Sequence, residues 1–226
     1  MVKVLITAGG TSEKIDDVRR ITNFATGRLG MKIVEAFAAS GHECHITYIC
    51  SESAVRPEPD SALDIRVADD VNSVMKAVEK ACAENDFDVI VHSMAISDYR
   101  VKAVRDSLFS AHDIRENKIP SDKEELIIVL EKAPKIIALL RGLAPNAVIV
   151  GFKLLSCASK EDLLRAGHVL LMKNDCDYVL ANDMMAVKDD GHEGFLIARD
   201  GTYEHTYGKD GIATLIVEST IKLLSG

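Results

Sequence analysis

The chain has 226 residues, enough for one large domain or one and a half smaller ones. Against 35 Asp and Glu it carries 27 Lys and Arg, a formal charge of −8, and only 5% of its residues are aromatic, with no Trp. That balance argues against phosphate-backbone binding and base stacking as the main activity, so no nucleic-acid partner is expected; a small phosphorylated ligand, which needs only a local cationic pocket, stays open.

No apolar run approaches the roughly 18 residues that cross a bilayer, so no membrane partner is expected. Residues 1–7 lead directly into a strand without a signal-peptide pattern, which makes the cytoplasm the expected compartment. The five cysteines, Cys44, Cys50, Cys82, Cys157 and Cys176, lack Cys-x-x-Cys spacing and read as reduced thiols.

Residues 2–7 form an apolar strand-length run that ends in the turn Ala8-Gly9-Gly10-Thr11. Leu29, Ile33, Val34, Phe37 and Ala38 recur at helical spacing, and Gly41 closes that helix. Strands follow at 45–50 and 64–67, then an amphipathic helix through Val71, Val74, Met75, Val78, Ala81 and Cys82, then a buried strand at 87–91. The second half continues with a strand at 126–130, a helix at 134–143 with Pro134 in its first turn, and a strand at 147–154. Ser159-x-x-Asp162 resembles a capping box ahead of a helix at 163–172, and a strand is expected at 178–181. Arg199-Asp200-Gly201-Thr202 joins two short runs into a hairpin spanning 194–207, and an amphipathic helix through Ile212, Leu215, Ile216 and Leu223 ends the pattern. The whole reads as a single α/β domain over 1–226: a Rossmann-like, mostly parallel sheet with helices on both faces and a C-terminal β-hairpin. Residues 96–123 are polar and show no sustained period, so a flap over a site is expected there, with a solvated loop as the alternative.

Three places could carry chemistry. The Gly9-Gly10 turn after the first strand would let backbone N–H groups approach a phosphate, although a purely structural turn would look the same. Arg19-Arg20-Ile21-Thr22-Asn23-Phe24-Ala25-Thr26-Gly27-Arg28-Leu29-Gly30 gathers cations, an amide, a hydroxyl and glycines just before a helix N-terminus. A solvated loop with an ordinary cap is its alternative. His92, Ser93, Met94, Ser97 and Asp98 follow the fourth strand, where open α/β sheets hold ligands. The dinucleotide fingerprint G-x-G-x-x-G, the reductase Tyr-x-x-x-Lys pair and the G-x-x-x-x-G-K-[ST] loop are all absent. A nicotinamide-dependent reductase is therefore the second reading and a non-catalytic nucleotide-sensing module the third.

The motifs 7–11, 21–30, Met94-Ala95-Ile96-Ser97-Asp98-Tyr99, Asn117-Lys118-Ile119-Pro120-Ser121, Gly151-Phe152-Lys153-Leu154 and Ala181-Asn182-Asp183 occur in this order. Together they resemble the phosphopantothenate–cysteine ligases of coenzyme A biosynthesis over nearly the whole chain. The resemblance implies a Rossmann-like homodimer with two chemical steps. A nucleoside triphosphate first transfers its nucleotidyl group to the carboxylate of 4′-phosphopantothenate and releases pyrophosphate. The amine of L-cysteine then attacks the acyl-nucleotide to form the amide. It implies Mg²⁺ and CTP, with ATP as the alternative nucleotide, and a separate phosphopantothenoylcysteine decarboxylase as pathway neighbour of a standalone ligase.

By the same resemblance Asn23 holds the substrate carboxylate and then the acyl intermediate, and Lys118 approaches the triphosphate. Gly9, Gly10, Thr26, Gly27, Arg28 and Ala95 lie against phosphopantothenate. His92, Ser93, Met94, Asp98, Pro134, Lys135, Ile136, Ile137, Phe152 and Lys173 line the nucleotide, with Asp98 a candidate metal ligand. The chain departs from the usual bacterial pattern at one lysine in 118–121, at Gly151-Phe152-Lys153-Leu154, and at Val169, where a second helix lysine is expected.

Overall fold

The fold is that of a computed structural model, which describes residues 1–107, 113–114, 117–185 and 192–226. In chain order the first half comprises β1 (Val2–Ala8), β2 (Ser12–Lys14), β3 (Arg20–Thr22), α1 (Arg28–Ala39), β4 (Cys44–Cys50), β5 (Leu63–Val67), α2 (Val71–Glu84) and β6 (Val89–His92). The second half comprises β7 (Tyr99–Arg105), β8 (Ile127–Lys132), α3 (Ile137–Leu143), β9 (Val148–Leu155), α4 (Lys160–Asn174), β10 (Tyr178–Asp183), β11 (Glu193–Ala198), β12 (Tyr203–Tyr207) and α5 (Gly208–Leu224).

Eight of the strands form one sheet in the order β12-β11-β10-β9-β6-β1-β4-β5. The stretch from β10 to β5 is parallel throughout, while β11 and β12 pair antiparallel at the edge. Central strands are continuous apolar runs because both their faces are covered. Val4, Ile6, Val89, Val91, Val148 and Val150 pack under α1 and α5. Leu5, Ile90 and Ile149, one residue out of phase, pack under α2, α3 and α4. Two helix starts are capped by side chains: Asp70 and Ser73 form a reciprocal capping box on α2, and the Ser159 hydroxyl accepts the Asp162 N–H on α4.

The expected α/β architecture and the Asp-Gly hairpin are found; the turn closes with the Ala198 N–H donating to Thr202 O at 2.9 Å. Three expectations need correction. The run at 126–130 does not join the parallel sheet: β8 pairs with β7 in a separate two-stranded antiparallel ribbon. The polar stretch 96–123 is accordingly not structureless, since it contains β7; residues 108–112 and 115–116 of that expected flap lie outside the described residues. The segment after the first turn, where no strand is expected, forms the small β2–β3 ribbon.

From β1 the chain steps outward to β4 and β5, returns through α2 to β6 on the other side of β1, and continues outward to β9 and β10. The C-terminal ends of β1 and β6 therefore flank the point where strand order reverses, which is where an open α/β sheet opens a crevice.

Candidate functional site

The loops leaving β1 and β6 are tied together across that point. Gly10 and Ala95 form a parallel bridge, the Thr11 N–H donates to Ala95 O at 3.0 Å, and the Ala95 N–H donates to Gly9 O at 2.8 Å. The Thr11 hydroxyl accepts the Ser97 N–H at 2.9 Å, and the Ser93 hydroxyl donates to Thr7 O at 2.7 Å.

Asn23 lies directly on this seam. Its N–H donates to Thr11 O at 3.0 Å, and its carbonyl oxygen crowds Gly10 so closely that a Cβ there would stand 2.2 Å from it. Gly9 adopts φ +88°, and a Cβ on it would collide with Ser51 Oγ and Ala54 Cβ. The two glycines thus let three loops meet, a structural need that phosphate approach had not covered. Among the described residues the Asn23 side-chain amide has no hydrogen-bond partner in the protein. Gly27, at φ +75°, is the N-cap of α1, which has no side-chain cap and no acidic residue in its first turn; Thr26 and Arg28 are exposed beside it. Uncapped N–H groups, the positive end of the helix dipole and a guanidinium make that end of α1 suited to an anion.

His92 is buried, with Nδ1 2.9 Å from the Thr7 hydroxyl, and burial pushes its pKa down to about 4. It is a neutral strut at the strand end. Because the unfolded imidazole titrates near 6.5, the unfolded chain binds the extra proton first, so this stability is complete above about pH 6.5 and is lost as pH falls toward 4. His92 alone contributes on the order of 3 kcal/mol across that window. The urea midpoint should fall steadily from pH 7 to pH 4.5; a flat profile would contradict a neutral buried His92.

Asp98 and Lys135, expected in one site, do meet: the ammonium of Lys135 donates to the Asp98 carboxylate, and the Ala133 N–H donates to Asp98 O at 2.9 Å. Met94 and Ile136 are core residues, and Ile137 packs against the core, so their side chains are directed inward. Half-buried Pro134 and exposed Lys135 precede Ile136 on the approach to α3.

Phe152 and Lys173 are not brought together. Neighbouring residues on a strand face opposite ways. Phe152 packs with the α1–α5 layer, whereas Lys153 and Lys173 line an open cleft of about 750 Å³ between the end of β9 and α4. Arg165 and Val169 line the same cleft, and Arg165 pairs with Asp162. Arg165 was missed by sequence reasoning, though its spacing of four from Val169 and eight from Lys173 is one helix face.

A second feature escaped the sequence reading. The 117–119 segment, with Lys118 exposed, is bound to the turn that precedes β3 through Asp16 and Arg19. The signal was an Asx turn, in which an aspartate accepts N–H groups two and three residues on.

Residues 1–223 match the family described as DNA/pantothenate metabolism flavoprotein C-terminal domain. The chain belongs to this family. A crystal structure of the DNA/pantothenate metabolism flavoprotein from Streptococcus pneumoniae superposes with a TM-score of 0.88 at 31% identity, covering 99% of this chain and 100% of that one. The coenzyme A biosynthesis bifunctional protein CoaBC of Thermococcus kodakarensis is 33% identical over 198 residues, 88% of this chain and 45% of its own length. The chain spans about half the length of the curated relatives it matches. A Cab2 structure in complex with phosphopantothenate-cysteine shares the fold, with a TM-score of 0.73 at 21% identity over 98% of this chain and 85% of that one.

Proposed function

We propose that this chain joins 4′-phosphopantothenate to L-cysteine in coenzyme A biosynthesis, by way of an acyl-nucleotide. The observation that carries the reading is an Asn23 amide, without a hydrogen-bond partner among the described residues, held on the β1–β6 seam in a chain of this family. Relatives named for coenzyme A biosynthesis, and a like-folded protein holding phosphopantothenate-cysteine, support it.

A carboxylate is a poor electrophile, and the mixed anhydride gives it a good leaving group. The protein's share is to position two anions and stabilise the charge that develops. The Asn23 N–H₂ donates to the reacting carboxylate without adding charge. Gly9, Gly10, Gly27, Arg28, Thr26 and Ala95 surround phosphopantothenate. Ser93, Lys135, Pro134 and the backbone at 136–137 face the nucleotide, and Lys118 offers an ammonium to its phosphates. His92 and Met94 brace this wall from behind. Lys153 and Lys173 bring further positive charge from the cleft beside β9.

Mg²⁺ keeps most of its ligands from water and phosphate and takes one or two carboxylates. Asp98 supplies one exposed carboxylate, and the described residues hold no group of three or more His, Cys, Asp or Glu suited to a metal. That donor set fits an ion carried in by the triphosphate with Asp98 as its protein ligand, and such an ion supplies neutralisation of phosphate charge. CTP is the favoured nucleotide and ATP the alternative. The working unit is a cytoplasmic homodimer, and a phosphopantothenoylcysteine decarboxylase acts next.

The test mixes protein, Mg²⁺, 4′-phosphopantothenate and L-cysteine with each nucleotide in turn and measures pyrophosphate. Release with one nucleotide, dependent on phosphopantothenate, is expected; its absence with every nucleotide ends the reading. Lys118→Ala should slow pyrophosphate release by about ten-fold or more and leave amide formation from supplied acyl-nucleotide within about two-fold, as suits a lost charged contact to phosphate. The reverse partition would remove Lys118 from the triphosphate.

A further inference from the structure

Lys118 is exposed, yet both of its neighbours are fastened. On one side, the Asp17 N–H donates to Asn117 O at 2.8 Å. On the other, the Ile119 N–H donates to Asp16 Oδ2 at 3.1 Å, and Arg19 Nη2 donates to Ile119 O at 2.6 Å. The Ile119 side chain is fully buried. The backbone on both sides of Lys118 is held, and its exposed side chain is left free to reach.

The anchor itself is tightly built. Asp16 Oδ1 accepts the N–H groups of Val18 at 2.9 Å and Arg19 at 2.7 Å, and Arg19 Nη2 lies 3.2 Å from Asp16 Oδ2. The carboxylate side chain is out of contact with solvent. Burial by itself would raise its pKa, but the backbone donors Ile119, Val18 and Arg19 and the guanidinium outweigh it and hold the carboxyl below its usual range. The negative charge is thereby kept, which is what a clasp of N–H donors requires.

The same turn runs straight into β3, Arg20–Thr22, and then Asn23. The β2–β3 pairing and the Asn23–Thr11 bond hold that stretch to the seam. One carboxylate therefore connects the backbone carrying Lys118 to the backbone carrying Asn23. We infer that Asp16 is a positioning residue that fixes Lys118 at a set distance from Asn23, so that the nucleotide phosphates and the acid are held for reaction together. This rests on the ligase reading above.

Asp16→Asn tests it. The amide can still accept the Val18 and Arg19 N–H groups, but its N–H₂ replaces the oxygen that Ile119 needs, so two donors face each other. Exchange of the Ile119 amide and tryptic cleavage after Lys118 should both accelerate about ten-fold or more, with exchange in β1 and β6 unchanged. The apparent KM for nucleotide should rise about ten-fold and the KM for cysteine should not move. A merely structural role would lower kcat with the folded fraction and leave both KM values alone. Should Asp16→Asn fail to fold, Arg19→Lys, which keeps the charge but loses the guanidinium fork, should give the same loosening at Ile119 and the same rise in nucleotide KM. Unchanged exchange at Ile119, or loosening without a change in nucleotide KM, overturns the inference while leaving the ligase reading intact. Failure of the unaltered protein to release pyrophosphate with any nucleotide overturns both.

Discussion

Asn23→Ala is expected to slow product formation by roughly 10²–10³-fold, the scale for losing one donor to developing charge. The position separates chemistry from folding. Both backbone groups of Asn23 are engaged, the N–H with Thr11 O and the carbonyl against Gly10, and alanine retains both. Only the side-chain amide is lost, and among the described residues it supports nothing else in the protein. The urea midpoint and the far-ultraviolet spectrum should match those of the parent while the rate collapses. Because the amide is assigned to the acid through both steps, pyrophosphate release and amide formation should fall together. A rate within about three-fold of the parent would withdraw Asn23 from the chemistry.

How far the sequence could be read depended on whether burial and pattern agreed. They agree in β1, β4 and β6, where continuous apolar runs are buried on both faces, so the parallel sheet and its covering helices were legible. In the β7–β8 ribbon they part company. Ile127 to Leu130 is an uninterrupted apolar run and reads as a buried parallel strand, yet it is only half-buried to exposed in a two-stranded ribbon. In β7 Tyr99, Val101 and Ala103 alternate with Arg100 and Lys102, but the pairing register shifts between Val101 and Ala103, and the adjacent Ala103 and Val104 are both buried. A bulge of this kind erases the period-two signal that a strand otherwise leaves.

The candidate site was legible as a set of strand-end loops, because glycines and small polar residues cluster there and the helix N-terminus follows. Its internal wiring was not. Asp16 sits in a charged run, Glu13-Lys14-Ile15-Asp16-Asp17, that looks solvated, and only a contact about a hundred residues away along the chain shows why it is buried. Phe152 and Lys173 were grouped by the family resemblance alone; strand parity, applied to Phe152 and Lys153, puts Lys153 in the cleft and Phe152 on the opposite face.

Gly10→Ala should be nearly as damaging as loss of the amide, for a different reason. The new Cβ would stand 2.2 Å from Asn23 O and 3.1 Å from its carbonyl carbon, both backbone atoms that no rotamer change can move. Gly10 cannot retreat, because the Gly10–Ala95 bridge fixes it to the end of β6. Relief must come from the 23–25 loop moving outward, and a displacement of about 1 Å at a positioning group costs roughly 10²-fold in rate. The expected stability loss is only about 1–3 kcal/mol, because the overlap lies in loops above the core. Gly142→Ala in α3, where no atom lies within 4 Å of the new Cβ, is the matched control and should leave the rate unchanged. If Gly10→Ala acts by carrying the Asn23 amide away from the acid, the double variant with Asn23→Ala will be scarcely slower than Asn23→Ala alone. Rate losses that multiply in the double variant would mean instead that the effect runs through Gly10's own place beside the substrate and not through Asn23.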